Sequence, residues 1–301
     1  MPNHIARSSL FAPVARGPKQ MHKASVLVSR KDAVIAFWSE HLDETQADVW
    51  MQVMHELAKY PLGEPVPVNR ARLLKAIGRK TGNYEYQWLH RAMEALAFAM
   101  LVIETTKQGK PKLEIGKAET LHMIDKFAYD PARECYTITI DPRWRLLYGN
   151  CEYALIDWEK RLQIRKGQDI AKALQRLVST SDERVQRFRL SWLKERLQYC
   201  SPMCKFRLSL KAAMQELERV EIIAAARIEM STKGGGGAGC VGTAVARLSH
   251  RGCIPSASGL HSSPQVESPG WRELQGCRML PTFLLPYIYL VGLWITSSPS
   301  R

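Results

Sequence analysis

The side chains in this sequence that could do chemistry are mainly basic, and they form two sets that each accompany an apolar helical pattern. The first set comprises Arg79, Lys80, Thr81, Asn83, Tyr84, Gln87 and Arg91. A basic turn further along adds Lys107, Lys110 and Lys112. The second set comprises Ser201, Lys205, Arg207 and Lys211. These residue types are typical of contacts with the phosphates and base edges of duplex nucleic acid.

The residue types predict different roles within such a contact. The arginine fork can bond two acceptors of guanine, so we expect Arg207 to read a base. Lysine more often binds phosphate, which is the role expected of Lys205 and Lys211. The hydroxyl of Ser201 and the free amides at the start of its helix could hold a further phosphate. The alternative is a solvated basic helix face without a ligand.

The charge balance favours a polyanionic partner. The 301 residues contain 43 Lys and Arg against 29 Asp and Glu, which gives a formal net charge of +14. Residues 160–211 contain 14 basic and four acidic residues, so the positive charge is concentrated there. An excess of this size favours nucleic acid or an anionic membrane surface.

The sequence lacks catalytic and metal-binding signatures. Gly109–Lys110 has no glycine five positions before it, as a phosphate-binding loop requires, and His55–Glu56 lacks the second histidine of a zinc protease motif. Cys200 and Cys204 have no second pair at ligand spacing, so we interpret them as packing residues at a helix end. The sequence therefore predicts no enzyme activity, no cofactor and no metal. Seven cysteines without an export signal predict reduced thiols in a cytoplasmic protein.

Helices must position the first set of basic residues. Apolar residues at helical spacing predict a helix that starts near Asp43 or Thr45 and ends near Lys59. After a short extended piece, Asn69 caps a second helix and Asn83 caps a third. Extended segments and a basic hairpin tip follow. This order is that of a winged helix-turn-helix domain.

The same order partly recurs around the second set. Gly167–Ser179 and Phe188–Gln198 predict two helices, and Ser201 opens a third whose apolar residues step by three and four. A strand is predicted at Glu221–Glu229. The strand that should return and close a hairpin is not recognisable, so we expect an incomplete wing in the second domain.

Together these patterns predict an α+β fold that is mainly helical. We expect a flexible N-terminal arm over residues 1–22 and two tandem winged helix-turn-helix domains over 23–150 and 151–232. Residues 233–301 are rich in Gly, Ser and Pro, which predicts a largely unstructured tail. A change of reading frame near the Gly run would explain this shift in composition. Met279–Ile295 has 17 uncharged residues but contains two prolines, so we do not expect a membrane protein.

Three blocks of the sequence match a known family: Pro2–Gly17, Val49–Val68 and the run that ends in MLVIET. They resemble the TrfA-type plasmid replication initiators, over about residues 2–232 and most strongly in Val49–Val68. The resemblance implies two winged-helix domains that bind direct repeats, called iterons, in double-stranded plasmid origin DNA. It also implies opening of adjacent AT-rich DNA and control of copy number.

The resemblance also implies protein partners. These are the host initiator protein, the replicative helicase and the polymerase sliding clamp, with a monomer–dimer equilibrium of the initiator itself. The clamp-binding peptide of the family matches Arg7–Phe11. On this basis Leu10 and Phe11 would enter an apolar pocket on the sliding clamp.

Three other functions stay open from the sequence. A winged-helix transcriptional repressor without replication activity would bind an operator palindrome rather than repeats. A membrane-tethered regulator would need Met279–Ile295 to enter lipid. A nicking initiator would leave a covalent protein–DNA adduct.

Overall fold

A computed structural model of the chain describes residues 1–13, 19–107, 110–117, 119–148, 152–230 and 242–248. Two hydrophobic cores divide these residues into a first module (19–148) and a second module (152–248). The N-terminal segment (residues 1–13) contains α1 (Asn3–Arg7) and packs into the first core.

The first module contains four helices and eight strands within its described residues. The helices are α2 (Glu44–Leu57), α3 (Arg70–Ala76), α4 (Asn83–Phe98) and α5 (Trp144–Tyr148). The strands are β1 (Met21–Leu27), β2 (Ala33–Glu40), β3 (Val66–Asn69), β4 (Met100–Lys107), β5 (Lys110–Ile115), β6 (Leu121–His122), β7 (Lys126–Asp130) and β8 (Cys135–Thr139). They form a sheet of order β1-β2-β4-β5, with β6 paired to β4, and a separate sheet of order β3-β8-β7.

Local capping signals set the helix starts in this module. Asp43 caps α2 in a capping box with Gln46, and the Asn69 side chain accepts from the Arg72 amide at 3.0 Å. Both predicted caps are confirmed. Helix α4 differs by one position, because Gly82 is its N-cap and Asn83 is its first helical residue.

The second module has the element order of a winged helix. Its elements are α6 (Trp158–Gln163), α7 (Asp169–Val178), β9 (Val185–Arg189), α8 (Leu190–Arg196), α9 (Met203–Arg219), β10 (Ile223–Met230) and β11 (Gly242–Leu248). The three strands form one antiparallel sheet of order β10-β11-β9. The segment Phe188–Gln198, predicted as one helix, divides instead into the end of β9 and α8.

Strand β11 corrects the expectation of an incomplete wing. It pairs with β9 on one side and β10 on the other, and Ala244 and Ala246 are buried in the second core. Strand β11 lies within the stretch that the sequence predicts to be unstructured. The sequence does not indicate the strand, because small inward side chains after a glycine run give a weak strand pattern. The rest of the tail lies outside the described residues.

The prediction of a mainly helical fold is wrong. The described residues contain nine helices and 11 strands, and the strands form three antiparallel sheets. Several of the additional strands lack a clean apolar pattern, since β6 has only two residues and β1 carries His22 and Lys23 between its apolar residues. Such segments acquire strand geometry from their partners rather than from a strong alternation of their own.

The N-terminal segment also differs from the expected flexible arm. Leu10 and Phe11 are each 1% exposed in the first core. The Ser9 amide donates to the Val28 carbonyl at 2.8 Å, and the Ala12 amide donates to the Leu42 carbonyl at 3.2 Å. Burial of its apolar side chains therefore makes residues 1–13 part of the folded protein.

Within the described ranges, no helix is long and apolar enough to cross a membrane. Met279–Ile295, the uncharged stretch of the tail, lies outside those ranges.

Candidate nucleic-acid interface

The outer face of α4 carries four of the side chains predicted to contact nucleic acid. Asn83, Tyr84, Gln87 and Arg91 are all exposed, and their spacing of three to four residues places them along one side of the helix. Tyr84 is 75% exposed. The opposite side carries the buried stripe that the sequence predicts: Leu89, Ala92, Met93 and Leu96. This α4 face is therefore polar with a single cation.

The turn before α4 exposes only part of the predicted set. Lys80 and Thr81 are exposed. The Arg79 side chain is held by contacts within the protein. Its Nε donates to Glu85 Oε2 at 2.7 Å, and its guanidinium carbon lies 3.6 Å from the centre of the Trp88 ring. Arg79 thus braces the start of α4 instead of extending towards a ligand.

An aromatic cluster holds α4 against the β3-β8-β7 sheet. His90 Nδ1 lies 3.3 Å from the hydroxyl oxygen of Tyr136, and the ring of Tyr136 contacts Phe127 and Tyr129. Burial raises the pKa of Tyr136 to about 12, so this hydroxyl stays neutral at physiological pH. The cluster fixes the orientation of the α4 face.

Strands β4 and β5 form the hairpin predicted as a basic wing. Lys107 pairs with Lys110 at the end of the ladder, and the side chains of both lie outside the described part of the structure. Lys112 is exposed, but its Nζ lies 2.8 Å from Glu152 Oε1. A nucleic acid that takes Lys112 would therefore compete with an internal ion pair.

The outer face of α9 presents the predicted lysines. Lys205 and Lys211 are both exposed. Arg207 is half-buried, and its Nε is buried without a hydrogen-bond partner among the described residues. Ser201 is half-buried just before the helix. The two lysines are thus more accessible than the arginine that we expect to read a base.

Sequence reasoning missed an apolar residue at the centre of the α9 face. Leu208 is 71% exposed. The signal was available, because the buried stripe through Phe206 and Leu210 already leaves position 208 outside. Cys200 and Cys204, interpreted above as packing residues, are both exposed as well.

Helix α9 is braced at its far end by Glu216. This carboxylate accepts from Arg219 Nε at 2.9 Å and from the Arg165 amide at 2.7 Å. The hydrogen bonds from Arg219, followed by that from the Arg165 amide, hold the pKa of Glu216 down at about 2 despite its burial. The carboxylate is therefore charged at neutral pH and anchors the loop before α7 to α9.

Five charged side chains, here called the joint network, meet where α2, α6 and α7 pack. Arg161 is 1% exposed and donates to Asp48 Oδ1 at 2.5 Å and to Glu44 Oε2 at 3.0 Å. Arg176 is fully buried and donates to both carboxylate oxygens of Glu44. Lys172 Nζ lies 2.5 Å from Asp48 Oδ2. The two acids belong to the first module and the three cations to the second, so the network holds the modules together.

The second module also holds the N-terminal segment. Arg176 donates to the Phe11 carbonyl at 2.7 Å, and Arg196 donates to the carbonyls of Arg7 at 3.1 Å and Ala6 at 2.5 Å. Burial lowers the pKa of Arg196 to about 9. While these bonds persist, the side chains of Leu10 and Phe11 cannot enter a pocket on another protein.

This packing reduces the surface charge expected between residues 160 and 211. Arg161, Arg176 and Arg196 are buried, so three of the 14 basic residues in that stretch act inside the protein. The accessible positive charge of the second module is therefore smaller than its composition suggests, and Lys205 and Lys211 are part of what remains.

Comparison with known proteins defines the fold. No protein-family model and no curated protein match the chain. A crystal structure of domains 2 and 3 of RctB aligns with 82% of this chain and 98% of that one, at 11% identity and a TM-score of 0.56. A second structure of RctB domains 2–3, residues 155–483, covers 79% of this chain and 95% of its own, at 12% identity and a TM-score of 0.52.

The Pi initiator protein in complex with iteron DNA is also similar, at 17% identity over 68% of this chain and 93% of that one, with a TM-score of 0.47. The chain thus has the fold of RctB domains 2 and 3, a likeness that does not distinguish the TrfA type from other families.

Proposed function

We propose that the chain is a plasmid replication initiator that binds repeated sites in origin DNA through two winged-helix modules and does no covalent chemistry. The observation that carries the proposal is the pair of exposed faces on α4 and α9, each on the last helix before a wing hairpin. A helix in this position enters the major groove. The RctB-like fold and the resemblance to TrfA-type initiators support the same class.

The two faces supply complementary contacts in this proposal. On α4, the amides of Asn83 and Gln87 match the hydrogen-bonding edge of adenine, and Arg91 matches guanine. On α9, Lys205 and Lys211 neutralise phosphates, which makes binding steeply dependent on salt. Arg207 contributes a base contact. The wing lysines reach the backbone beside the groove.

The later steps follow from the resemblance to the family. Several copies bound to neighbouring repeats would bend the origin and lower the cost of opening AT-rich DNA. The protein would then recruit the host initiator and the replicative helicase in the cytoplasm, and its monomer–dimer equilibrium would set copy number. Binding of the sliding clamp through Leu10 and Phe11 would require release of the N-terminal segment from the core.

Footprinting on the DNA that flanks the gene tests the proposal. We expect protection of direct repeats of one sequence, with affinity that falls steeply as salt rises. Protection of a single palindrome would instead indicate a repressor. A protein–DNA adduct that survives denaturant would show covalent chemistry and contradict the proposed mechanism.

Substitution of Arg207 tests the assignment of a base contact. Arg207→Ala should weaken binding to the protected repeat far more than binding to random duplex, because a base contact contributes only at the specific site. Arg133→Ala is the matched control, since Arg133 is exposed in the turn between β7 and β8. Equal losses on both duplexes would exclude base reading by Arg207.

A further inference from the structure

We infer that Leu208 determines specificity by contacting the C5-methyl group of thymine in the major groove. The inference rests on the proposed function, because it assigns a ligand to one position of the DNA-binding α9 face. It adds a class of contact, apolar and base-specific, that the charged residues of the same face cannot make.

The position of Leu208 on α9 supports the assignment. Its neighbours one turn away on the surface are Cys204 and Lys205 towards the N-terminus and Lys211 and Ala212 towards the C-terminus, and all four are exposed. Cys204, Leu208 and Ala212 form an apolar strip along the helix, with Leu208 at its centre. The strip therefore lies along the middle of the α9 face.

The flanking charges indicate which partner covers this strip. Lys205 and Lys211 lie on either side of Leu208, and neither forms an ion pair with an acid within the described structure. Two cations without acidic partners beside an apolar side chain disfavour a hydrophobic protein surface as the binding partner. They favour a polyanion that also presents an apolar group. In duplex DNA that combination is a thymine methyl between two phosphate backbones.

A further exposed residue of the α9 face is consistent with an A·T pair. Gln215 lies one turn beyond Lys211 and is exposed. A glutamine amide can bond both N6 and N7 of adenine, and only an A·T pair presents a methyl group beside an adenine in the major groove. The α9 face thus combines phosphate contacts with two side chains suited to A·T pairs.

Removal of single methyl groups from the DNA tests this inference. The probe is a duplex selected by the purified full chain from a library with a randomised centre, so the test does not require a known origin. Each thymine of the selected duplex is then replaced by deoxyuridine, which removes the C5-methyl group and keeps base pairing. At one or two positions the wild-type affinity should fall about fourfold, the equivalent of ~0.8 kcal/mol for one buried carbon.

A matched pair of variants assigns the effect to Leu208. Leu208→Ala should bind the thymine and deoxyuridine duplexes equally at those positions. Leu155→Ala removes a leucine that is 50% exposed outside α9, and it should retain the fourfold difference. Both sites are exposed, so neither substitution should unfold the protein.

The possible outcomes separate this inference from the proposed function. A selected duplex that is insensitive to deoxyuridine at every position would overturn the role of Leu208 and leave specific DNA binding intact. Equal deoxyuridine sensitivity in the wild type and Leu208→Ala would do the same. A changed oligomeric state of Leu208→Ala with unchanged DNA binding would assign the strip to a second copy of the chain. Failure to select any sequence would contradict both proposals.

Discussion

The two modules share an order of helices but organise their strands differently. In the second module the strand before the helix-turn-helix, β9, joins the wing strands β10 and β11 in one sheet. In the first module the corresponding strand, β3, pairs with β8 in a separate sheet, and the wing strands β4 and β5 join the N-terminal hairpin. The helix order of a winged helix is thus compatible with two arrangements of the strands around it.

The exposed faces of the two modules differ in the same way. The α4 face has Asn83, Tyr84 and Gln87 beside one cation, whereas the α9 face has two lysines beside an exposed leucine. Side chains that form directional hydrogen bonds predominate on the α4 face. Charged and apolar side chains predominate on the α9 face. Under the proposed function, we expect the α4 face to contribute directional base contacts and the α9 face to add most of the phosphate contacts besides its own base contacts.

Disruption of the joint network should produce the largest effect, because it would uncouple the unfolding of the two modules and allow the stability of each to be compared. Glu44→Gln leaves the buried guanidinium groups of Arg161 and Arg176 without the charge of Glu44. We expect a loss of about 3–5 kcal/mol in the free energy of unfolding and separate transitions for the two modules. Urea denaturation followed by tryptophan fluorescence and circular dichroism measures both.

The control for this substitution is an exposed ion pair. Glu104→Gln removes a carboxylate that is 45% exposed and 3.9 Å from Lys117 Nζ. Its cost should be below about 1 kcal/mol. If Glu44→Gln were as mild as Glu104→Gln, the joint network would not hold the modules together.

Acid should affect the two modules over different pH ranges. Burial lowers the pKa of His4, His22 and His41, all outside the second module, and residues 152–230 contain no histidine. A histidine with a lowered folded pKa binds protons more readily when unfolded. Its contribution is therefore complete above about pH 6.5 and declines as the pH falls below that value.

The corresponding group in the second module is Glu216, whose pKa is held at about 2 against an ordinary value of 4.5. Its contribution is present above pH 4.5 and is lost as the pH falls towards 2. Hydrogen exchange, corrected for the intrinsic pH dependence of the amides, should show that the first module loses protection as the pH falls below about 6.5 while the second stays protected. Simultaneous opening of both modules would contradict this difference.

The faces of α4 and α9 should respond differently to salt. Lys205→Ala with Lys211→Ala removes two phosphate contacts, so the slope of log K against log salt should become shallower by about 1.8. Asn83→Ala with Gln87→Ala should leave the slope unchanged and reduce discrimination between duplexes by about 1–3 kcal/mol. Fluorescence anisotropy over a salt series measures both quantities. The division of roles fails if the two double variants change the slope equally.

The smallest expected effect concerns the turns inside the two helix-turn-helix motifs. Two residues after the last helical residue, Gly78 has φ +73° in the first module and Gln198 has φ +49° in the second. A left-handed conformation costs a residue other than glycine about 1–2 kcal/mol. Gly78→Ala should therefore destabilise the protein by about that amount, and Gln198→Gly should stabilise it by about 0.5–1 kcal/mol, because the relief of strain is partly offset by the greater freedom of glycine in the unfolded chain.

Thermal denaturation of the two variants checks the signs. A lower melting temperature for Gln198→Gly would mean that the contacts of the Gln198 side chain outweigh the backbone strain. The comparison of the turns would then depend on side-chain packing rather than on backbone conformation.

Local signals made the helices and the exposed faces predictable, whereas distant partners decided the rest. The caps Asp43 and Asn69 act within three residues, and the α9 stripe defines its own outer side, so Lys205 and Lys211 could be placed outside. The burial of Arg161 and Arg176 depends on Glu44, 117 and 132 residues away in the chain. Nothing local distinguishes such an arginine from a DNA-binding one.

The same limit applies to Leu10, Phe11 and β11. The resemblance to the clamp-binding peptide predicts Leu10 and Phe11 on a flexible arm, and the Gly-, Ser- and Pro-rich composition predicts an unstructured segment around β11. The first two are buried by packing against the first core, and β11 is defined by its pairing with β9 and β10. Leu208 is the opposite case, because the local helical spacing alone places this apolar side chain on the exposed face.

The buried joint has a geometric consequence for the DNA. Because charged side chains hold one module against the other, the distance between α4 and α9 would stay fixed if both helices enter the major groove of one duplex as proposed. Each extra base pair between the two contacted segments would shift them by about 3.4 Å and rotate one around the duplex axis relative to the other. Natural binding sites should therefore keep an invariant number of base pairs between the two segments, even where the intervening bases vary.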